Sequence, residues 1–172
     1  WSSDVCSSDL VDAATQVLPV NGSREALFSF AQAMLDPAPA GTQVVIAPNP
    51  FYQIYEGAAL LAGARLHLLD QRPDNSFRMD WTQVPDSLWP QVKLVYVCSP
   101  GNPTGAVMDL DEWRTLFALA DRHGFIIASD ECYSEIYHDE SAPPLGALAV
   151  CRQLGRADYR GVVVFSSLSK RS

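Results

Sequence analysis

The sequence predicts an α/β fold, a three-layer sandwich in which a mostly parallel sheet is covered by helices on both faces. Three observations predict it. Five short runs read as strands, at 44–46, 65–69, 92–98, 125–128 and 162–165, and most of them are continuously apolar. Segments with apolar residues at helical spacing separate most of these runs. Strands buried on both faces need no polar alternation, and strands alternating with helices are the signature of parallel pairing.

Each element has its own signal. Leu27, Phe30, Ala31, Met34 and Leu35 recur at helical spacing, and Asp36-Pro37 ends that helix. The β-branched run Val44 to Ile46 follows and is expected to break at Pro48-Asn49-Pro50. From Tyr52 to Ala62 the pattern is helical again, with Gly63 as the stop. Arg65 to Leu69 alternates into the second strand. Between Pro73 and Pro90 the signal is mixed; Trp81, Val84 and Leu88 suggest a short helix broken by Pro85. Val92 to Cys98 is the third strand. Asp109 and Glu112 form a capping box, in which the first side chain caps a helix and the glutamate reaches back. That helix runs through Trp113, Leu116, Phe117 and Ala120 to Gly124. Phe125 to Ala128 is the fourth strand, a weak helix lies near Leu145 to Leu154, and Val162 to Phe165 is the fifth strand.

The chain of 172 residues is one domain's worth, and 48% hydrophobic against 19% charged residues is a globular composition. A net charge of -8 without basic runs argues against a nucleic-acid partner. No apolar stretch approaches the roughly 20 residues of a membrane helix. Cys6, Cys98, Cys132 and Cys151 form no CxxC pair and share no ligand-like spacing with His67, His123 or His138, so no metal site is expected. Scattered cysteines in a chain of this size point to a reducing, cytoplasmic setting. Residues 1–10, WSSDVCSSDL, repeat Ser-Ser-Asp, fit neither period and are expected to be a non-native leader. The chain stops directly after its fifth strand, so 11–172 is expected to be a fragment of a larger protein.

Ligands of open parallel sheets bind outside the carboxyl ends of the strands, and those ends carry the chemistry here. Ser99-Pro100-Gly101-Asn102-Pro103-Thr104-Gly105 follows the third strand; Asp130, Glu131 and Tyr133 follow the fourth; Ser166, Ser167, Ser169 and Lys170 follow the fifth. Asn21-Gly22-Ser23-Arg24 stands at a helix N-terminus, where free backbone N–H groups favour an anion. An amide, a carboxylate with a phenol, hydroxyls with an amine, and an anion site suit a phosphorylated, nitrogen-containing aromatic.

The series NGSREAL (21–27), PNPFYQIY (48–55), SPGNPTG (99–105), SDECYSEIY (129–137) and SSLSK (166–170) resembles the class I/II aminotransferases, fold-type I enzymes that use pyridoxal 5'-phosphate (PLP), in that family's order. Longer runs, at 18–28, 49–64 and 129–137 with PPLGAL (143–148), are most similar to the succinyldiaminopimelate transaminase branch of bacterial lysine biosynthesis. The resemblance implies the large PLP-binding domain, lacking an N-terminal arm, a small C-terminal domain and the arginine for the substrate α-carboxylate. It further implies amino-acid and 2-oxo-acid substrates, 2-oxoglutarate among them, a homodimer when full length, and no turnover by this stretch alone.

The resemblance also implies roles. Lys170 would anchor the cofactor through its amine and then carry the proton at the substrate carbon. Asp130 would pair with the ring nitrogen; Tyr133 and Asn102 would meet the phenolic oxygen; Gly22, Ser23 and Arg24, mainly through backbone N–H groups, and the Ser167 hydroxyl would hold the phosphate. Tyr52 would stack on the ring, with Phe51 and Tyr55 as nearby alternatives. Each residue also has an ordinary reading: a strand-end lysine, a solvated carboxylate, a packed tyrosine, a turn at Asn-Pro-Thr-Gly, a helix N-cap at 21–23. Glu131, His123, Trp113 and the remaining cysteines are expected to pack or face solvent. Two other functions share the core, a carbon–sulfur lyase or related PLP enzyme and the PLP-binding effector domain of a transcription regulator. A nucleotide-binding module lacks its GxGxxG or GxxxxGK[ST] fingerprint here.

Overall fold

The protein is described by a computed structural model at residues 11–36 and 39–170. The expected leader at 1–10 and the expected helix stop at Pro37 lie outside the described residues. The elements are α1 (Ser23–Met34), β1 (Val44–Asn49), α2 (Gln53–Leu61), β2 (Arg65–Asp70), β3 (Val92–Cys98), α3 (Leu110–His123), β4 (Ile126–Asp130), α4 (Ala147–Gln153) and β5 (Val162–Phe165). The strands form one sheet in the order β2-β1-β3-β4-β5, and every pairing is parallel. The expected three-layer α/β architecture is the observed one.

The pleat divides the core in two. Successive strand residues point to opposite faces. Val44, Ile46, Val95, Val97 and Ile127 pack with Trp113, Leu116 and Phe117 of α3 and with Val150 of α4. Val45, Ala47, Leu94, Tyr96 and Ala128 pack with Leu27 and Ala31 of α1 and Tyr55 and Ala58 of α2. Among the described residues no helix is long and apolar enough to cross a membrane. The Asp109 capping box forms as expected: its Oδ1 accepts from the Asp111 and Glu112 N–H groups, and Glu112 Oε2 accepts from the Asp109 N–H. Gly124 then ends α3 at φ 77°, a left-handed conformation that glycine adopts without steric cost.

Three boundaries differ from expectation. β1 continues through Pro48 to Asn49, pairing with Leu69 and Asp70 of β2. Its pairing with β3 covers only Val44 to Ile46, so at Pro48 the strand is bonded on one side and a missing N–H is tolerated. β4 starts at Ile126 and runs two residues past Ala128, because Ser129 and Asp130 pair with Val97 and Cys98. Between 73 and 91 there is no α-helix but three 3₁₀ turns, Pro73–Asn75, Trp81–Gln83 and Trp89–Gln91. Closely spaced prolines deny an α-helix its i→i−4 bonds, while Met79, Val84 and Trp89 still reach the core.

The chain steps outward from β1 to β2 and then returns to lay β3 on the other flank of β1. Such a reversal opens a crevice outside the carboxyl ends of the strands.

Candidate active site

A cavity of about 520 Å³ occupies that crevice, and every residue to which the resemblance gives a cofactor role lines it: Gly22, Ser23, Arg24, Tyr52, Asn102, Asp130, Tyr133, Ser167 and Lys170. A second cavity, about 140 Å³, touches it only through Cys98; its one arginine, Arg78, is already paired with Asp109 and Glu112.

The α1 end of the cavity is an uncapped helix N-terminus. Gly22 is the N-cap, and no side chain caps it, so the first-turn N–H groups have no acceptor within the helix. The Ser23 hydroxyl instead accepts from the Cys132 thiol at 3.2 Å. Glu25 leans its carboxylate over Gly22, 2.5 Å from where a Cβ would stand. It is the far end of a flexible side chain and is free to move aside. The Arg24 side chain turns away to donate from Nε to the Tyr52 hydroxyl, leaving its backbone to the helix end.

Asp130 ends β4 and is 5% exposed. Strand alternation sends it to the α1/α2 face, where the Tyr55 hydroxyl donates to its Oδ2 at 2.7 Å. The Cys132 N–H makes a long contact of 3.4 Å to Oδ1. Among the described residues no basic side chain pairs with it. A buried carboxylate without a cation is costly, and a cationic nitrogen in the cavity answers that need.

The opposite wall comes from the segments after β3, β4 and β5. Asn102 Nδ2 donates to the Tyr133 hydroxyl at 3.2 Å, so the two groups expected to share one ligand atom do converge. Burial pushes the Tyr133 hydroxyl up from its ordinary value, with the charges of Cys98 and Asp130 acting in the same sense, so it remains a donor. Lys170 lies in a 3₁₀ turn, Leu168–Lys170, with Nζ 5.8 Å from the centre of the Tyr133 ring. Ser167 and Ser169 share a hydroxyl contact of 2.7 Å, and Ser167 Oγ accepts the Ser169 N–H.

Tyr52, half-buried at the N-cap of α2, lines the cavity and meets Tyr55 edge-on at 6.0 Å. The cavity thiols hold their protons at neutral pH. Burial, followed by the charge of Asp130, pushes Cys98 up to about 11 and Cys132 up to about 12.

Two residues gain importance that their sequence positions did not signal. Tyr55 was named only as an alternative to Tyr52, yet its hydroxyl is the strongest partner of Asp130. Glu131 was expected to pack or face solvent; it is 8% exposed and bonded. Its position, one after Asp130, puts it on the opposite face, where Oε1 accepts from the Ser129 hydroxyl and from the Ala147 N–H that opens α4. Gly146 permits this approach, since a Cβ there would lie 2.6 Å from Glu131 Oε2. Burial pushes the Glu131 carboxyl above its ordinary value of 4.5, against the two bonds that lower it. The folded chain therefore holds this proton more tightly than the unfolded one. Its contribution to stability is full below the ordinary value and is lost as pH rises through the raised one. Glu131→Gln keeps an acceptor oxygen and is expected to flatten the loss of stability between about pH 5 and pH 8. Urea unfolding of both proteins at the two pH values checks this; equal slopes would count against it.

Residues 7–172 match the family described as aminotransferase class I and II, and the chain belongs to that family. It is similar to LL-diaminopimelate aminotransferase of Aquifex aeolicus, 31% identical over 160 residues, which are 93% of this chain and 39% of that protein. Among solved structures it is similar to an aminotransferase from Neisseria meningitidis, with 53% identity, a TM-score of 0.88, and coverage of 94% of this chain and 40% of the other. A probable N-succinyldiaminopimelate aminotransferase from Thermus thermophilus is 28% identical with a TM-score of 0.70, over 86% of this chain and 37% of that one. The chain thus spans about two fifths of the length of the relatives it matches.

The family's PLP fits the residues present. Its phosphate suits an uncapped helix N-terminus, its protonated ring nitrogen suits a buried carboxylate that has no cation, and its phenolic oxygen suits the converging Asn102 and Tyr133.

Proposed function

We propose that the full-length protein is a PLP-dependent transaminase acting on N-succinyl-L,L-diaminopimelate with 2-oxoglutarate, as a cytoplasmic homodimer in lysine biosynthesis. The observation that carries the reading is Asp130, a carboxylate buried at the floor of a 520 Å³ cavity with no basic partner among the described residues. Bound PLP supplies the sink for the electron pair released when the substrate α-carbon loses its proton.

The chain does the rest. The N–H groups of Gly22, Ser23 and Arg24 and the hydroxyl of Ser167 bind the phosphate. Tyr52 packs against the ring and limits its tilt, while Asn102 and Tyr133 hold the phenolic oxygen. Asp130 keeps a proton on the ring nitrogen. Lys170 would anchor the cofactor, and its Nζ, once released, would take the proton from the substrate α-carbon and give it to the cofactor, work suited to an amine close to the reacting carbon.

Support for the succinylated substrate comes from the runs at 18–28, 49–64 and 129–137, and from likeness to the Thermus thermophilus protein. The relatives called LL-diaminopimelate aminotransferase favour a second reading, in which the substrate carries no succinyl group. The full-length protein is expected to show at least about tenfold higher kcat/KM for N-succinyl-L,L-diaminopimelate than for L,L-diaminopimelate, the size of one satisfied polar contact. Preference for the free diamine overturns the succinyl assignment. Preference for aspartate, acetylornithine or a cysteine conjugate overturns the subfamily.

A further inference from the structure

The buried carboxylate of Asp130 does not set its own orientation. The terminal torsion of an aspartate is broad, so its rotation is decided by whichever donor is held most rigidly beside it. That donor is the Tyr55 hydroxyl, 2.7 Å from Oδ2 and carried from α2 across 75 residues of sequence. The Tyr55 ring is itself fixed. It is 1% exposed and stacks on Tyr96 at 4.5 Å and 13°. Tyr96 is pinned in turn by donating its hydroxyl to the Leu27 carbonyl at 2.8 Å. With Oδ2 engaged, Oδ1 is the oxygen with capacity left, since its contact from the Cys132 N–H is long at 3.4 Å.

We infer that Tyr55 is a positioning residue of the cofactor site: by holding Oδ2 it fixes the Asp130 carboxylate so that Oδ1 is presented to the ring nitrogen of PLP. This rests on the cofactor reading above. The donor is permanent, because burial, followed by the charge of Asp130, pushes the Tyr55 hydroxyl far above its ordinary value and keeps its proton in place. α2 also presents Tyr52 at its N-cap, three residues before Tyr55. One short helix thus sets both the ring-stacking face and the partner of the ring nitrogen.

The test uses the full-length protein with PLP labelled with ¹⁵N at the ring nitrogen. Tyr55→Phe keeps the stacked ring and removes only the hydroxyl. It is expected to weaken PLP binding to the apoprotein roughly tenfold, as loss of one hydrogen bond to a charged group does, and to move the ¹⁵N resonance from its wild-type position. The expected kinetic effect falls on kcat, with KM for the amino donor kept within about twofold. In an Asp130→Asn background, adding Tyr55→Phe should change Kd by less than about twofold, since the two act as one unit. Wild-type Kd and resonance in Tyr55→Phe, or additive losses in the double variant, overturn the inference. If Tyr55→Phe does not fold, 3-fluorotyrosine at position 55 strengthens the donor without changing its shape, and an unmoved resonance overturns the inference equally. If Asp130→Asn alone leaves Kd and resonance unchanged, it is the cofactor reading that fails.

Discussion

Lys170→Ala in the full-length protein is expected to cost about 10³-fold or more in amino transfer, because one side chain supplies both the covalent anchor and the proton carrier. The chain contains two lysines, and of these Lys170 is the one placed at the cavity. Lys170 lines the cavity at the carboxyl end of the sheet. Lys93 is the second residue of β3, near the opposite edge, with its side chain exposed. Borohydride reduction of the PLP-loaded parent followed by peptide mapping is therefore expected to place the pyridoxyl label on the peptide holding Lys170. The variant should lose the label and still bind PLP reversibly, since the phosphate site on α1 is built from backbone N–H groups that the substitution leaves alone. A label on Lys93 or on a lysine outside this chain, or turnover near the parent's, would show that Lys170 is not the anchor.

Much of this site was legible in the sequence because its parts sit at element ends, where local signals are strong. An apolar, β-branched run followed by a cluster of glycine, proline or small polar residues marks a strand and what it presents. Val92 to Cys98 before SPGNPTG, and Val162 to Phe165 before SSLSK, are both of this kind. Asp109 with Glu112 marked the start of α3 by chemistry that needs no tertiary contact. What escaped depends on partners far along the chain. Strand ends are fixed by neighbours: Asp130 belongs to β4 because Cys98 pairs with it, and Pro48 stays in β1 because β3 has already left its flank. Tyr55 reads as an ordinary core position on an amphipathic helix, and only the fold reveals that its hydroxyl meets Asp130. A buried tyrosine hydroxyl must find a partner, but the sequence does not say which. Which of its two readings Glu131 takes was open for a related reason. One residue past the strand end the pleat still governs direction, so neighbouring carboxylates go to opposite faces, Asp130 to the cavity and Glu131 to the start of α4.

Asp130→Ala is expected to fail differently from Lys170→Ala. The lysine and the phosphate site remain, so borohydride should still label Lys170. What disappears is the counter-charge that keeps the ring nitrogen protonated while electrons flow onto the ring. Losing a preorganised group of this kind costs on the order of 3 kcal/mol, at least about a hundredfold in kcat. Stability must be followed in the same experiment, because the substitution leaves the buried Tyr55 hydroxyl without an acceptor, a cost of about 1–3 kcal/mol. It also removes a buried charge that lacks a cation, which acts in the opposite sense. The two offset, and Tm is expected to move by only a few degrees. A fall in turnover far larger than the shift in Tm then belongs to chemistry rather than unfolding. Combining Asp130→Ala with Tyr55→Phe sharpens the distinction, since it removes the orphaned hydroxyl and should recover stability without recovering rate. Near-normal turnover in Asp130→Ala, or disappearance of the label from Lys170, would mean that the carboxylate under the cavity does not face the ring nitrogen.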